Sequence, residues 1–364
     1  MNKLVPIGPS AAAAVIAALF VGCGFMMLLA GASYSRGAPA QSSPTYISAI
    51  QVDPKRPTVV YAVDHGVLKS TDGGQTWSAA SKGLTAPPET APPGLAALRV
   101  DALALDARSP NVLYAGTGLG VFKTSDGART WRLAGTGIDY DDDSVKHRLY
   151  EGSIWALAID ALHTSTVYAA GRGGVWKTTT GGATWKHVLR YRVISVAIDP
   201  RRPRTVYGSG MKRWPRSTPR SSIYKTVDGG GTWHASGPPG LLDSSYVVVE
   251  RHRAGVVYAG GSRGLFASAN QGRTWNRLLS ASALGRVDAI ALDPSRANVL
   301  YVGTWGHGVF KSNDGGQTWS ALRLDTRNVS VIEIAPTRPQ TIYVGGEGIW
   351  KSTDGGATWH RVTR

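Results

Sequence analysis

The chain has one cysteine in 364 residues, Cys23, so it forms no internal disulfide and builds no cysteine metal site. Phenylalanine (5) and methionine (4) are scarce, and helix formers are massed nowhere beyond the first 40 residues, which argues against a helical core. Acids are few, 24 against 40 lysines and arginines, giving a net charge of +16. What is plentiful is glycine (45), proline (20), tryptophan (12) and tyrosine (14), the mixture expected of many short strands joined by tight turns. The composition is all-β.

One long apolar run, "SAAAAVIAALFVGCGFMMLLAGAS", follows Lys3 and a short polar start, the layout of an export segment. It exceeds the roughly 7–15 apolar residues of a cleaved signal and approaches the ~20 that cross a bilayer. Small residues at Ala30-Gly31-Ala32 and Ala38-Pro39-Ala40 still suit a cleavage site. Residues 1–40 are therefore expected to be a signal peptide or a signal anchor with a short linker. Lipid attachment at Cys23 fits less well, because Phe20-Val21-Gly22 makes a poor lipoprotein signal. All three readings put the body outside the cytoplasm, in a periplasm or lumen or at the cell surface. Without its first 40 residues the chain keeps 38 basic and 24 acidic residues, since Lys3 and Arg36 are the only charges lost. Such a surface suits anionic lipid or acidic protein, and export makes nucleic acid an unexpected partner.

Self-similarity dominates the remainder. "STDGGQTW" at 70–77 returns six times, ending in "STDGGATW" at 352–359. The closing tryptophans, Trp77, Trp131, Trp185, Trp233, Trp275, Trp319 and Trp359, are 54, 54, 48, 42, 44 and 40 residues apart. The shorter intervals match the ~40–50 residues of a four-stranded propeller blade. In the sixth unit "VDAIALDP", "NVLYVG", "HGVFKS" and "TWSALRL" read as four strands, and the same series recurs in the other six. Residues 45–364 are thus expected to form a single seven-bladed β-propeller, a ring without exposed sheet edges around its circumference.

Within each box the glycines allow positive φ, and the aspartate (Asp72, Asp126, Asp228, Asp314 or Asp354) can accept backbone N–H bonds inside its own turn. Thr180 and Asn270 stand in for it in the third and fifth copies. A hydrogen-bonding clasp survives such replacement, whereas a catalytic carboxylate does not. A second acid series, Asp53, Asp106, Asp160, Asp199 and Asp293, closes the first strand of its unit and reads as another turn device.

The pattern S/T-x-D-G-G-x-T-W resembles the Asp box, or BNR repeat, of sialidases, sortilin-type receptors, two-propeller xyloglucanases and the photosystem II stability/assembly-factor family. With one propeller behind an export segment, residues 45–364 are most similar to the last of these. That resemblance implies a non-catalytic assembly scaffold that holds a membrane-protein precursor against a basic propeller face. It implies no cofactor.

Propeller topology puts the clasps on one face and leaves the other to the second-to-third strand turns and the blade crossovers. The irregular segments 82–99, 135–153, 209–222 and 236–245 all belong to that second, loop face, as a binding surface would. In "MKRWPRSTPR", Lys212, Arg213, Arg216 and Arg220 surround Trp214, which suits an acidic client. Alignment of the first strands places Tyr46, Arg99, Ser153, Arg192, Asp243, Arg286 and Asn328 together near the channel mouth. Arg99, Arg192 and Arg286 would there focus positive potential. Trp305, with Trp214 and Tyr140, offers stacking surface for a glycan. The alternating acids Asp139, Asp141 and Asp143 lack the turn glycine and terminal glutamate of a calcium loop, and no metal is expected.

The rival reading is a glycoside hydrolase. A sialidase-like site lacks its Arg-Ile-Pro segment, and a xyloglucanase-like site lacks a second propeller. Asp101 and Asp288 are the nearest thing to a carboxylate pair, but they belong to blades two and six. A non-enzymatic monomer that binds an acidic protein segment or membrane-protein precursor is the expectation. An anionic membrane surface and a glycan are the alternative partners.

Overall fold

Alternating small and β-branched residues with glycine at the corners give strands of two to seven residues, and these pair antiparallel in sequence order. The computed structural model of the chain describes residues 46–85, 98–138, 153–211, 223–237 and 246–363. The apolar run at residues 10–33, the Lys212–Arg220 cluster with Trp214, the 139–143 acids, Tyr140 and Asp243 lie outside the described residues. Among the described residues there are seven four-stranded sheets, and the only helix is the single turn Ala281–Leu284. No helix in them is long and apolar enough to cross a membrane.

The first strands of the sheets are β1 (Ala49–Val52), β5 (Val100–Leu105), β9 (Ile154–Ile159), β13 (Arg192–Ile198), β17 (Tyr246–Val249), β21 (Val287–Leu292) and β25 (Val329–Ile334). Each lies against the next, and β25 returns to β1, so the sheets form a closed seven-bladed propeller. The core is correspondingly divided into slabs between blades. Tyr61, Val63 and Val67 of blade one pack with Leu103, Leu113 and Phe122 of blade two. Ile50, Val60 and Ala62 meet Tyr343 and Ile349 of blade seven.

The clasps form as expected. Ser70 Oγ donates to Asp72 (2.7 Å) and accepts from Gly74 N–H (2.8 Å), and Asp72 accepts from Thr76 N–H (2.9 Å). Hydrogen bonds from Thr76 and Ser70 hold the Asp72 carboxyl well below the usual carboxylate range. Thr180 and Asn270 reproduce the bond to the threonine N–H four residues on, at 3.0 and 2.8 Å. The two positive-φ corners are kept even where glycine is lost, at Ala128 (φ 66°) and Gln271 (φ 62°).

The box does more than hold its own turn. Its first glycine presents a carbonyl to the preceding blade, where a buried tyrosine of the second strand and its cross-strand lysine both reach it. Tyr114 and Lys123 meet Gly181 O at 3.1 and 2.7 Å, and Tyr168 and Lys177 meet Gly229 O at 3.0 and 2.8 Å. The same pairing closes the ring: Tyr343 and Lys351 meet Gly73 O at 3.1 and 2.7 Å. The box tryptophan adds a second stitch. Trp77 Nε1 donates to Val362 O (3.1 Å) and Trp131 Nε1 to Ala80 O (2.8 Å), each in the blade before. Ring closure therefore rests on hydrogen bonds as well as packing.

Blade five departs from the rule. Ala267 occupies the lysine position, and Arg253 comes from the neighbouring turn to brace the Tyr258 hydroxyl (2.7 Å). In blade four, Tyr207 OH at the seam toward blade five and Trp233 Nε1 at the seam toward blade three are buried without a hydrogen-bond partner.

Two polar side chains on the first strands also bridge blades. Gln51 Oε1 accepts from Leu105 N–H (3.3 Å), and Glu333, one blade earlier at the same position, accepts from Val52 N–H. Burial among the first strands pushes the Glu333 carboxyl up to about 8, against that one hydrogen bond.

Two outcomes follow from these seams. Tyr343→Phe deletes one donor to Gly73 O and should lower stability by about 1 kcal/mol in urea denaturation. Glu333 is neutral in both folded and unfolded chains at pH 4, and its charge opposes folding increasingly as pH rises toward its folded value of about 8. Glu333→Gln should therefore leave the denaturation midpoint nearly unchanged at pH 4 and raise it at pH 9.

Candidate functional site at the channel mouth

The two faces of the ring separate as the topology requires. On the clasp face each box docks against the first turn of its own blade, as in Gly73 N–H to Thr58 O (2.8 Å). On the opposite face crossovers meet second-to-third strand turns: Val100 N–H bonds His65 O (2.7 Å) and Trp305 N–H bonds Arg286 O (2.9 Å).

At this loop face the first strands carry β-bulges, with register shifts between Val100 and Ala102, Val193 and Ser195, Val287 and Ala289, and Val329 and Val331. A bulge re-aims its side chain. The bulged residues include Asp101 and Asp288, which turn back onto the arginines two positions earlier. Arg286 grips Asp288 with two nitrogens, at 2.7 and 2.9 Å, and both groups are largely buried. Burial opposes the Arg286 charge and Asp288 more than restores it; the same burial raises Asp288 above the ordinary carboxylate range, with Arg286 opposing. Arg99 meets Asp101 at 2.9 Å in a more open setting, and burial raises Asp101 likewise against the pull of Arg99.

The three aligned arginines therefore do not act as one unneutralised cluster. Arg99 and Arg286 are each spent partly on a neighbouring acid, an outcome set by the bulges, which the strand alignment did not reveal. Arg192 lies over the Trp155 ring, 5.0 Å from its centroid. Arg286 also covers Trp305 at 5.3 Å, yet Trp305 remains 46% exposed, among the most exposed large apolar side chains described. Asn328 joins this group by accepting from Gly306 N–H at 3.1 Å. Tyr46 and Tyr246 lie close enough to influence Arg286, and Tyr46 is 40% exposed. The mouth thus carries aromatic surface interleaved with guanidinium–carboxylate pairs. No cluster of three or more metal-ligating side chains occurs among the described residues.

For catalysis the arrangement offers little. Asp101 and Asp288 are not partners; each carboxylate is held by the arginine of its own strand, on separate blades. The sequence signal for this was the repeated Arg-x-Asp spacing, "RVD" at 99–101 and 286–288.

Comparison with known proteins gives two kinds of match. The family profile described as "Photosynthesis system II assembly factor YCF48" matches residues 90–364, and the BNR/Asp-box repeat profile matches residues 68–79. A xyloglucanase of Hypocrea jecorina (strain QM6a) is 23% identical over 330 residues, covering 76% of this chain and 38% of its own length. The chain thus spans about two fifths of that curated relative. Among solved structures, the Niastella koreensis GH74 enzyme superposes with a TM-score of 0.66 at 21% identity, over 88% of this chain and 54% of that one. YCF48 bound to D1 peptide gives 0.58 at 16% identity, over 85% and 93%. At these identities the structural likeness speaks for the fold alone.

The differing environments of the two ion pairs set an expected contrast. Asp288→Asn strands a mostly buried guanidinium and should cost about 3 kcal/mol, whereas Asp101→Asn, at a half-exposed arginine, should cost about 1 kcal/mol or less. Urea denaturation of the two variants measures both.

Proposed function

Because the chain belongs to the photosystem II assembly factor YCF48 family, we propose that it is a non-catalytic, extracytoplasmic scaffold whose loop face holds an acidic segment of a client protein during assembly. The observation that carries this reading is the channel mouth: exposed Trp305 and Tyr46 supply apolar anchors, Arg286 lies over Trp305, and Arg192 lies over Trp155. Aromatic and arginine side chains of this kind dominate protein-binding hot spots. In sequence the Lys212–Arg220 cluster directly follows β14 (Val206–Met211), whose last residue pairs with Arg192, and this connectivity supports counting its cations toward the reading. The protein whose structure includes a D1 peptide is matched over nearly its whole length, which favours a protein segment as ligand. The apolar run at residues 10–33 supports action outside the cytoplasm.

The second reading is a glucan hydrolase, favoured by the xyloglucanase relative and by the burial that raises Asp101 and Asp288. Against it stand their separate blades and their arginine partners.

A fluorescent peptide of alternating acidic and leucine residues is the test ligand. The scaffold reading expects binding that weakens with added salt and falls about tenfold or more in Trp305→Ala with Arg192→Glu, while Arg192→Lys keeps it. No binding, together with release of reducing sugar from xyloglucan that Asp288→Asn abolishes, would establish the hydrolase instead.

A further inference from the structure

The clasp face carries a feature that the loop-face reading does not use. All seven first turns are closed alike, by an N–H to C=O bond spanning six residues, from Asp53 to Val59 through Ala335 to Thr341. Turns of one length make this face level. Charge on it is nevertheless uneven. In blade six, Arg296 is neutralised by Asp293 at 2.7 Å, and in blade one Arg56 is neutralised by Asp53 at 2.9 Å.

Blades four and five break this balance. Arg201, Arg202, Arg204, Arg251 and Arg273 are all exposed there. The acids of the same turns, Asp199 and Glu250, are 3% and 1% exposed and bond inward to the Arg201 and His252 N–H groups, both at 2.9 Å. Blade five has Asn270 where the box acid belongs, so Asp228, half-buried, remains as the box acid of the sector. Arg201 joins the two turns by donating to Arg251 O (3.0 Å) and His252 O (3.3 Å). Arg202 and Arg273 both lie near enough to Lys225 to lower its affinity for a proton, after burial itself. The five guanidiniums therefore form one sector.

Beside that sector stand two exposed apolar side chains. Leu162, in the first turn of blade three, is 49% exposed, and Val227, in the box of blade four, is 58% exposed. Both flank the seam around the Tyr168 hydroxyl, where Asp160, Asp228 and Arg204 converge. A level cationic face with separate protruding apolar side chains has the chemistry of an interfacial membrane contact: the apolar groups enter the headgroup layer while guanidiniums hold anionic lipid.

We propose that the clasp face over blades three to five docks onto an anionic lipid headgroup layer. A bilayer is favoured over an acidic protein segment by the uniform turns and by the separation of Leu162 and Val227, which stand on different blades. The apolar run at residues 10–33, expected to engage a membrane, favours the same partner. Docked this way, the propeller turns its opposite, loop face toward the aqueous side. The inference stands independently of what that face holds.

Cys23 is the chain's one cysteine, which permits a site-specific test on the full chain. In a Cys23→Ser background, Val227→Cys carries an environment-sensitive fluorophore, and Arg263→Cys, exposed in the second-to-third strand turn of blade five, carries it as the opposite-face control. Each protein is mixed with vesicles of phosphatidylcholine alone or with phosphatidylglycerol added. The expected result is a blue shift at position 227 on anionic vesicles only, reversed by salt, with none at position 263. Combining Arg202→Glu, Arg251→Glu and Arg273→Glu should weaken this response about fivefold or more per position, while the corresponding lysine variants retain it. Arg201 and Arg253, which brace neighbouring turns, are left in place, and the salt reversal needs no variant at all. The proposal is overturned by an equal shift on neutral vesicles, an equal shift at position 263, no shift at 227, or a comparable shift there with soluble polyglutamate.

Discussion

The carbonyl of a box glycine, held in a left-handed turn and approached by a tyrosine hydroxyl and a lysine ammonium from the preceding blade, is the contact on which this ring depends. Two donors converge on one carbonyl oxygen only if the turn of one blade and the second and third strands of another are all in register. The lysine is drawn from water to make this contact, and burial lowers its proton affinity at Lys69, Lys177, Lys225, Lys311 and Lys351. The tyrosines stay protonated, with burial pushing Tyr114, Tyr168, Tyr301 and Tyr343 up to about 12. Donors in both partners at every neutral pH suit a joint that has only carbonyls to bind. The lysine also lies over the face of its tyrosine, at 5.5 Å for Lys351 and Tyr343, so the two donors support each other.

That constraint explains where variation is tolerated. Six blades keep the lysine and all seven keep the tyrosine, but blade five replaces lysine, box aspartate and the first box glycine, as Ala267, Asn270 and Gln271. Arg253 repairs the seam toward blade six, whereas Tyr207 on the side of blade four is left with a buried hydroxyl and no partner. An unsatisfied hydroxyl of this kind costs about 1–3 kcal/mol. This blade shares the surplus arginines of the clasp face with blade four. Asn270 keeps the clasp bond to Thr274 N–H while removing the carboxylate charge.

The loop face is governed by a different device. Bulges let the first strands end their pairing at the channel mouth and turn alternate side chains back on their own chain. Asp101 and Asp288 were legible as acids outside the turn series, and Arg99 and Arg286 as aligned arginines. Their pairing was not, because a strand without a bulge sends residues i and i+2 side by side toward the same surface without bringing their tips together. The consequence is a mouth less cationic than the alignment suggested and richer in aromatic surface, from Trp305, Trp155 and Tyr46. Such a mouth favours a mixed acidic and apolar ligand over a simple anion.

Repeat number, strand order, the internal clasps and the division into two faces could all be read from residue spacing alone, because each is a local consequence of turn chemistry and period-two alternation. Thr180 and Asn270 even told in advance that the clasp needs an oxygen acceptor and not a carboxylate. The stitching of blade to blade needed the tertiary structure: Tyr343 and Gly73 lie 270 residues apart in the chain, and no local pattern states which carbonyl a strand residue will meet. The lopsided charge of the clasp face was equally hidden, since a sequence does not say which turn acid an arginine will reach: Asp53 and Asp293, as buried as Asp199 and Glu250, are each gripped by the arginine three residues on. Burial and long-range register are properties of the closed ring, and only its closure fixes them.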